Sequence, residues 1–269
     1  MKVVLAQVKI IWENREANLQ KAEEILRRCD KSADLVLFPE MSFTGFSAEV
    51  MKHGEEHEET LHAMRSIIQK GNITVGFGWA KQVNGKCRNH YTIMRPDGEI
   101  LTDYAKIHPF SYAREERYVE GGESLSFAEF EGFTVGNTIC YDLRFPELYS
   151  ALSKRADFIV VPANWPASRI DQWNCLLKAR AVENQCYMAG INCVGDIGGI
   201  FYNGHSMLID PRGDRLEPEI LWVNNADGEW ERLLCYDIEN ESKSFRGFFS
   251  SKGDRREDLY KKLWDELNV

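Results

Sequence analysis

Residues 133–148 read FTVGNTICYDLRFPEL, and this stretch decides the class of fold. The apolar run Phe133–Ile139 predicts a buried β-strand. Pro146 suits the first turn of a helix over Pro146–Lys154. Cys140 lies in the short turn between them. A strand, a turn and a helix in this order are typical of an α/β protein.

The same alternation extends in both directions along the chain. Further strands are predicted at Lys2–Val8, Leu35–Phe38, Thr74–Trp79, Phe158–Pro162 and Tyr187–Val194. Further helices are predicted near residues 14–28, 56–70, 169–185 and 255–267. Turns at Pro96–Gly98 and Pro211–Asp214 predict hairpins, the first between Arg88–Met94 and Glu99–Asp103, the second after His205–Asp210. Strands buried on both faces require helices on both sides, and the hairpins make the sheet mixed.

The chain reads as one domain over residues 1–269, because no Pro/Gly/Ser-rich linker or repeat divides it. A domain of this size can bury a core without a disulfide or a metal. No glycine-rich turn follows the first strand, which argues against a dinucleotide-binding fold.

Charge and cysteine usage exclude several classes of function. The chain has 33 basic and 42 acidic residues, a balance that argues against nucleic-acid binding. No apolar stretch approaches a membrane span, and the amino terminus resembles a strand rather than a signal peptide. The seven cysteines are therefore expected to be reduced in the cytoplasm. No pair has CxxC spacing, so we expect neither a metal nor another cofactor.

Three reactive side chains, Glu40, Lys106 and Cys140, follow predicted strands. Taken alone, each has an ordinary interpretation: a loop carboxylate, a surface lysine and a buried small thiol. Together they form a nucleophile, a base and a cation for an oxyanion. A reactive Cys140 is expected to have a lowered pKa. Because histidine is the commoner base for a thiol, spacing alone also leaves a dyad of Cys140 with His108 open.

Four motifs in order resemble the nitrilase, or carbon–nitrogen hydrolase, superfamily. They are the stretch 140–148, the segment Asn164-Trp165-Pro166 with Arg169 and Trp173, the run 179–184, and residues 204–213. The resemblance extends from Ala6 to about Phe248. It implies a four-layer αββα sandwich that dimerises through helices.

Site roles are also implied by this resemblance. Glu40 is expected to be the general base, Lys106 to stabilise the oxyanion, and Cys140 to be the nucleophile. Glu115, with Glu116 as the alternative, is expected to orient the lysine.

Within the superfamily the chain is most similar to the omega-amidases, which cleave the terminal amide of compounds such as 2-oxoglutaramate. It departs from the pattern at Cys193, where the family often has a basic residue. N-carbamoyl compounds or simple aliphatic amides are the alternative substrates. A non-catalytic interaction protein on the same fold is the alternative from another class.

Three residues are expected to contact the small-molecule substrate. The backbone N–H of Tyr141 is expected to help bind the oxyanion. Arg144 is a candidate for a substrate carboxylate, because guanidinium pairs bidentately with that group, although a structural pair with Asp142 or Glu147 is equally consistent with the sequence. Trp165 is expected either to form a wall of the pocket or to be an ordinary core aromatic.

Overall fold

Two large β-sheets form the centre of the molecule in the computed structural model, which describes residues 1–29, 31–225 and 230–267. The seven-stranded sheet consists of β1 (Lys2–Gln7), β2 (Leu35–Leu37), β3 (Thr74–Val83), β4 (Lys86–Met94), β5 (Ile100–Ala105), β13 (Glu219–Asn224) and β14 (Glu231–Asp237). Its order is β13-β14-β1-β2-β3-β4-β5. Strands β1, β2 and β3 are parallel, and the other pairings are antiparallel.

The second sheet has five strands in the order β12-β9-β8-β7-β6. Its strands are β6 (Phe127–Phe130), β7 (Phe133–Asn137), β8 (Phe158–Ala163), β9 (Tyr187–Asn192) and β12 (Met207–Ile209). Strands β7, β8 and β9 are parallel, so the segments that follow them leave from the same edge. A separate hairpin is formed by β10 (Val194–Ile197) and β11 (Ile200–Asn203).

Seven α-helices are found in the described ranges. They are α1 (Arg15–Arg28), α2 (Ala48–His53), α3 (Glu59–Gly71), α4 (Pro146–Leu152), α5 (Ile170–Asn184), α6 (Ser242–Phe248) and α7 (Glu257–Leu267). Helix α1 begins after Asn14, whose side chain accepts a hydrogen bond from the N–H of Ala17, as expected for a cap.

Burial along β1 shows how the layers are stacked. Val3 and Leu5 pack in the cluster between the two sheets, whereas Val4 and Ala6 pack with α1 and α3 on the other face. This follows from the period of two along a strand. On the far side, α4 and α5 cover the five-stranded sheet in a third cluster. The order helix, sheet, sheet, helix confirms the predicted four-layer αββα sandwich with mixed sheets.

The elements differ from the sequence prediction mainly at hairpins. The turn Asn84-Gly85, with both residues at positive φ, joins β3 to β4, which makes β3 longer than predicted. Gly198-Gly199 likewise joins β10 to β11. Both are dipeptides that favour tight hairpins, because their φ can be positive at low cost. Strands β6, β13 and β14 and helices α2 and α6 were also not predicted.

Candidate active site

The reactive side chains come from the ends of strands in both sheets. Glu40 follows β2 and Lys106 follows β5, which run in the same direction within the seven-stranded sheet. Cys140 follows β7 of the five-stranded sheet. Because the sheets pack face to face, these three residues line one cavity.

The Glu40 carboxylate is buried and is bound on both oxygens. Oε1 accepts hydrogen bonds from Lys106 Nζ at 3.0 Å and from Asn89 Nδ2 at 2.9 Å. Oε2 accepts from the backbone N–H of Asn164 at 2.9 Å. The chain around Glu40 passes so close to β3 that a Cβ on Gly78 would lie 2.4 Å from the nitrogen of Met41. These contacts fix the carboxylate toward the cavity.

Lys106 lies between two carboxylates. Its Nζ donates to Glu40 Oε1 at 3.0 Å and to Glu115 Oε2 at 3.0 Å, and its side chain is 1% exposed. Burial disfavours the ammonium, but the charges of Glu115 and Glu40 outweigh burial and raise the pKa of Lys106. The lysine is therefore charged at neutral pH.

Glu115 is the second glutamate beside the lysine, and Glu116 is exposed to solvent. Glu115 Oε2 also accepts the backbone N–H of Phe110 at 2.5 Å. Burial raises the pKa of Glu115, and the nearby charge of Glu40 adds to this, whereas Lys106 acts in the opposite direction. Two carboxylates thus share one ammonium.

Cys140 begins a 3₁₀ turn, Cys140–Arg144, in a strained backbone conformation with φ of 46°. Strain of this kind costs about 1–3 kcal/mol and concentrates at functional sites. The buried Asp142 holds the turn, since its carboxylate accepts the N–H of Ile139 at 3.0 Å and the hydroxyl of Tyr104 at 2.8 Å. The thiol is thereby directed into the cavity.

The protonation state of Cys140 differs from the sequence expectation. Burial raises the pKa of its thiol well above the usual value, and the negative charge of Glu40 and its hydrogen bond to the sulfur add to this. Lys106 and the N–H of Asn164 act in the opposite direction. The expected lowering of this pKa was therefore wrong, because the sequence does not show how deeply the sulfur lies beside a carboxylate. The resting thiol is neutral.

His108 pairs with Asp142 and not with Cys140, the partner that spacing alone had left open. Its Nδ1 lies 2.8 Å from Asp142 Oδ1, and its backbone N–H donates to the same oxygen at 3.0 Å. Its ring stacks on Phe145 with centroids 3.7 Å apart. Over the described ranges of the chain no hydrogen bond joins His108 to Cys140, so this histidine supports the turn.

The three expected substrate contacts all line the cavity. The Arg144 guanidinium lies 4.9 Å from the centroid of the Trp165 ring and 5.9 Å from that of Tyr141. It donates to Gln172 Oε1 at 2.6 Å, and it forms no ion pair with Asp142, Glu147 or another described carboxylate. Trp165 is 2% exposed, so it packs in the core as well as lining the cavity.

Comparison with protein families identifies the chain. A family model described as carbon-nitrogen hydrolase matches residues 2–239. The chain belongs to the carbon–nitrogen hydrolase family. This confirms the resemblance drawn from the four motifs.

Curated relatives of this carbon–nitrogen hydrolase include two amidases from bacteria. One is "Omega-amidase YafV" of Yersinia enterocolitica, 33% identical over 88% of this chain and 93% of its own length. Another is "2-oxoglutaramate amidase" of Bacillus subtilis, which is 31% identical over 94% of this chain and 97% of its own length.

Solved structures of the same superfamily have this fold. XC1258 of Xanthomonas campestris, a CN-hydrolase superfamily protein with an arsenic adduct in its active site, aligns with a TM-score of 0.84 and 25% identity over 95% of this chain and 97% of its own. An amidase from Nesterenkonia sp. aligns with a TM-score of 0.84 and 22% identity, over 98% of this chain and 96% of its own.

Several residues of the carbon–nitrogen hydrolase site were not singled out from the sequence. Asn164, at the end of β8, contacts both Glu40 and Cys140, and Asn89 in β4 contacts Glu40. The signal for Asn164 was its place after a buried strand in the Asn-Trp-Pro motif. Arg169 and Tyr202 also line the cavity. Tyr202 comes from the β10–β11 hairpin, which was not predicted.

The described part of the chain has neither a cluster of metal ligands nor a helix that could span a membrane. No group of three or more His, Cys, Asp or Glu side chains there could hold a metal ion. No α-helix there is long and apolar enough to cross a bilayer.

Proposed function

We propose that this carbon–nitrogen hydrolase cleaves the terminal amide of a small dicarboxylic acid monoamide such as 2-oxoglutaramate and releases ammonia. The observation that carries the proposal is the position of the Arg144 guanidinium, which lines the Cys140 cavity and has no carboxylate partner among the described residues. The relatives that are named omega-amidase and 2-oxoglutaramate amidase support the same substrate class. Guanidinium binds a carboxylate bidentately, so Arg144 would hold the acid end of the substrate.

In the first half of the reaction Glu40 acts as the general base. It takes the proton of the neutral Cys140 thiol while the sulfur attacks the amide carbon. The carbonyl oxygen becomes an oxyanion, which the Lys106 ammonium and the backbone N–H of Tyr141 stabilise. Preorganised donors of this kind are worth about 10²–10³ in rate each.

The tetrahedral intermediate collapses to a thioester. The carbon–nitrogen bond breaks, and Glu40 returns its proton to the leaving nitrogen, which departs as ammonia. Glu40 then removes a proton from water as the water attacks the thioester, and the Cys140 sulfur leaves and is reprotonated. Glu115 keeps Lys106 charged and in place through its 3.0 Å contact.

The raised pKa of Cys140 suits this order of events. A thiol that is neutral at rest becomes negatively charged only as the base removes its proton. The negative charges on the sulfur and on the oxyanion therefore develop in the same step, beside Lys106. The enclosed site thereby favours the transition state over the resting enzyme.

The proposal extends to the assembly and the location of the enzyme. We propose a homodimer through outer helices, because α7 exposes Trp264 and Leu267 and α5 exposes Val182. No disulfide bond joins any two of the seven cysteines, all of which lie in the described ranges, and this supports a location in the cytoplasm. Its partner is then a small amide rather than a nucleic acid or a membrane. Sedimentation of the purified protein checks the dimer.

A substrate panel tests the proposed function. Ammonia release is measured from 2-oxoglutaramate, butyramide, an N-carbamoyl amino acid and an aliphatic nitrile. We expect the highest kcat/KM for 2-oxoglutaramate, and no release by Cys140→Ala. The matched control is Cys175→Ala, which removes an exposed thiol of α5 outside the cavity and should retain activity.

Each other outcome supports a different function. If butyramide or the carbamoyl compound has the highest kcat/KM, the enzyme is an amidase of another specificity. If none of the four compounds releases ammonia, the protein is a non-catalytic member of the fold.

A further inference from the structure

A second arginine lines the cavity and has no role in the mechanism above. Arg169 lies just before α5, and its guanidinium lies over the ring of Phe110, 5.6 Å from the centroid. The guanidinium makes no ion pair or hydrogen bond with any residue of the described ranges. A cation held by an aromatic face, with its N–H groups unused, is arranged to bind a ligand oxygen.

Tyr202 brings a second unused donor to the same wall. It comes from β11, is 4% exposed, and its hydroxyl forms no hydrogen bond within the part of the chain that the structure describes. Burial raises the pKa of this hydroxyl, and its electrostatic neighbours include Cys140, Glu40 and Arg169. The phenol therefore stays protonated and can donate.

Arg144 and Arg169 come from different segments and are held by different neighbours. Arg144 follows the nucleophile on its own turn, and its guanidinium is held by Gln172 and two aromatic rings. Arg169 comes from the segment after β8, and its neighbour Tyr202 comes from a separate hairpin. The cavity is thus lined by two groups of donors that come from different elements.

We propose that Arg169 and Tyr202 form a subsite for the 2-oxo oxygen of the substrate, while Arg144 binds the adjacent carboxylate. This inference rests on the proposed function. The oxo group and the carboxylate occupy neighbouring carbons of a 2-oxo acid, so two guanidinium groups can approach them together. A carbonyl oxygen has two lone pairs, which matches one N–H donor and one O–H donor from different elements.

The subsite predicts selectivity between two substrates that differ in one group. 2-Oxoglutaramate and glutaric acid monoamide carry the same terminal amide and the same carboxylate, and only the first has the 2-oxo oxygen. A site built to hydrogen-bond a substrate oxygen discriminates strongly against the analogue that lacks it. The wild-type enzyme should therefore prefer 2-oxoglutaramate.

The experiment measures kcat/KM on both compounds for the wild type, Arg169→Met and Tyr202→Phe. Methionine keeps an unbranched stem over Phe110 without the charge, and phenylalanine keeps the ring without the hydroxyl. We expect Arg169→Met to lower the preference for 2-oxoglutaramate by about tenfold or more, and Tyr202→Phe by about threefold or more. Activity on glutaric acid monoamide should change much less.

A matched control comes from an arginine outside the cavity. The guanidinium of Arg155 lies 4.7 Å from the centroid of the Phe127 ring, and Arg155→Met should leave both values of kcat/KM unchanged. Thermal unfolding of each variant checks that it is folded.

Two results overturn the inference, and they are distinguishable. If the wild type is active but Arg169→Met lowers kcat/KM equally on both compounds, or on neither, the oxo subsite is wrong and the proposed function stands. If the wild type releases ammonia from neither compound, the proposed function fails and the subsite fails with it.

Discussion

The two ends of the cavity differ in how completely their polar groups are satisfied. At the inner end, the buried carboxylates of Glu40 and Glu115 both bind the buried ammonium of Lys106. At the outer end, Arg144 and Arg169 are half-buried and have no carboxylate partner among the described residues. We therefore expect the inner groups to contribute to the stability of the fold, and we propose that the outer groups bind the substrate.

This difference separates chemistry from selectivity. Charges that are fixed before the substrate arrives need no reorganisation in the transition state. Cations that lack a carboxylate partner among the described residues can gain one when an acid binds. Variants at the inner end should therefore affect rate on every substrate, and variants at the outer end should affect the choice between substrates.

Cys140→Ala should have the largest effect. It removes the atom that forms the thioester, so kcat should fall by about 10⁵-fold or more on all amides. The free energy of unfolding should change little, because the side chain is small and lies at the cavity. Steady-state ammonia release and thermal unfolding measure the two effects. Residual activity within tenfold of the wild type would remove Cys140 from the mechanism.

Glu40→Gln should separate reactivity of the thiol from catalysis. We expect kcat to fall by about 10³-fold, as for loss of a general base. The negative charge of Glu40 helps raise the pKa of the Cys140 thiol, so its removal should lower that pKa and increase the thiolate fraction at neutral pH.

Iodoacetamide alkylation at Cys140, followed over pH, measures this change. In the wild type the rate should rise only in the alkaline range, and in Glu40→Gln the rise should move to lower pH. A rise that moves to higher pH would show that Glu40 holds the thiol in its charged form.

Lys106→Met should lower both activity and stability. Loss of the oxyanion cation should lower kcat by about 10²–10³-fold. The variant also leaves two buried carboxylates without their cation, so the free energy of unfolding should fall by about 3–5 kcal/mol. Urea unfolding of this variant and of Arg144→Met makes the comparison. Equal stability of the two variants would contradict the division into a structural and a substrate-binding end.

Arg144→Met should have the smallest effect on rate and the clearest effect on selectivity. The ratio of kcat/KM for 2-oxoglutaramate to that for butyramide should fall by about 10–100-fold. Activity on butyramide itself should be nearly unchanged, since that amide has no carboxylate. If the ratio does not change, Arg144 does not bind the acid end.

Local patterns in the sequence predicted much of the fold. The strands around Cys140 and the helix that follows it were expected within a few residues, because proline, apolar runs and helix caps act locally. The hairpin at Asn84-Gly85 was missed although its dipeptide is a strong turn signal. The pairing of β14 with β1 joins segments more than 220 residues apart, which no local pattern indicates.

The site was predictable in identity but not in environment. Glu40, Lys106 and Cys140 were selected from their positions after strands and from the family resemblance. The family resemblance favoured Glu115 over the adjacent Glu116, and the structure shows that Glu115 is the one that is buried beside Lys106. Nor did it indicate the raised pKa of Cys140, or that Arg144 forms no ion pair with a described carboxylate, because both depend on neighbours distant in the chain.

Trapping the acyl-enzyme tests the central claim most directly. The wild-type protein is mixed with 2-oxoglutaramate and quenched in acid within the first turnovers, and the intact mass and the peptides are analysed by mass spectrometry. We predict an adduct with the mass of the acyl group on Cys140, sensitive to hydroxylamine and absent from Cys140→Ala. Turnover without any adduct, or an adduct on another residue, would contradict a Cys140 thioester.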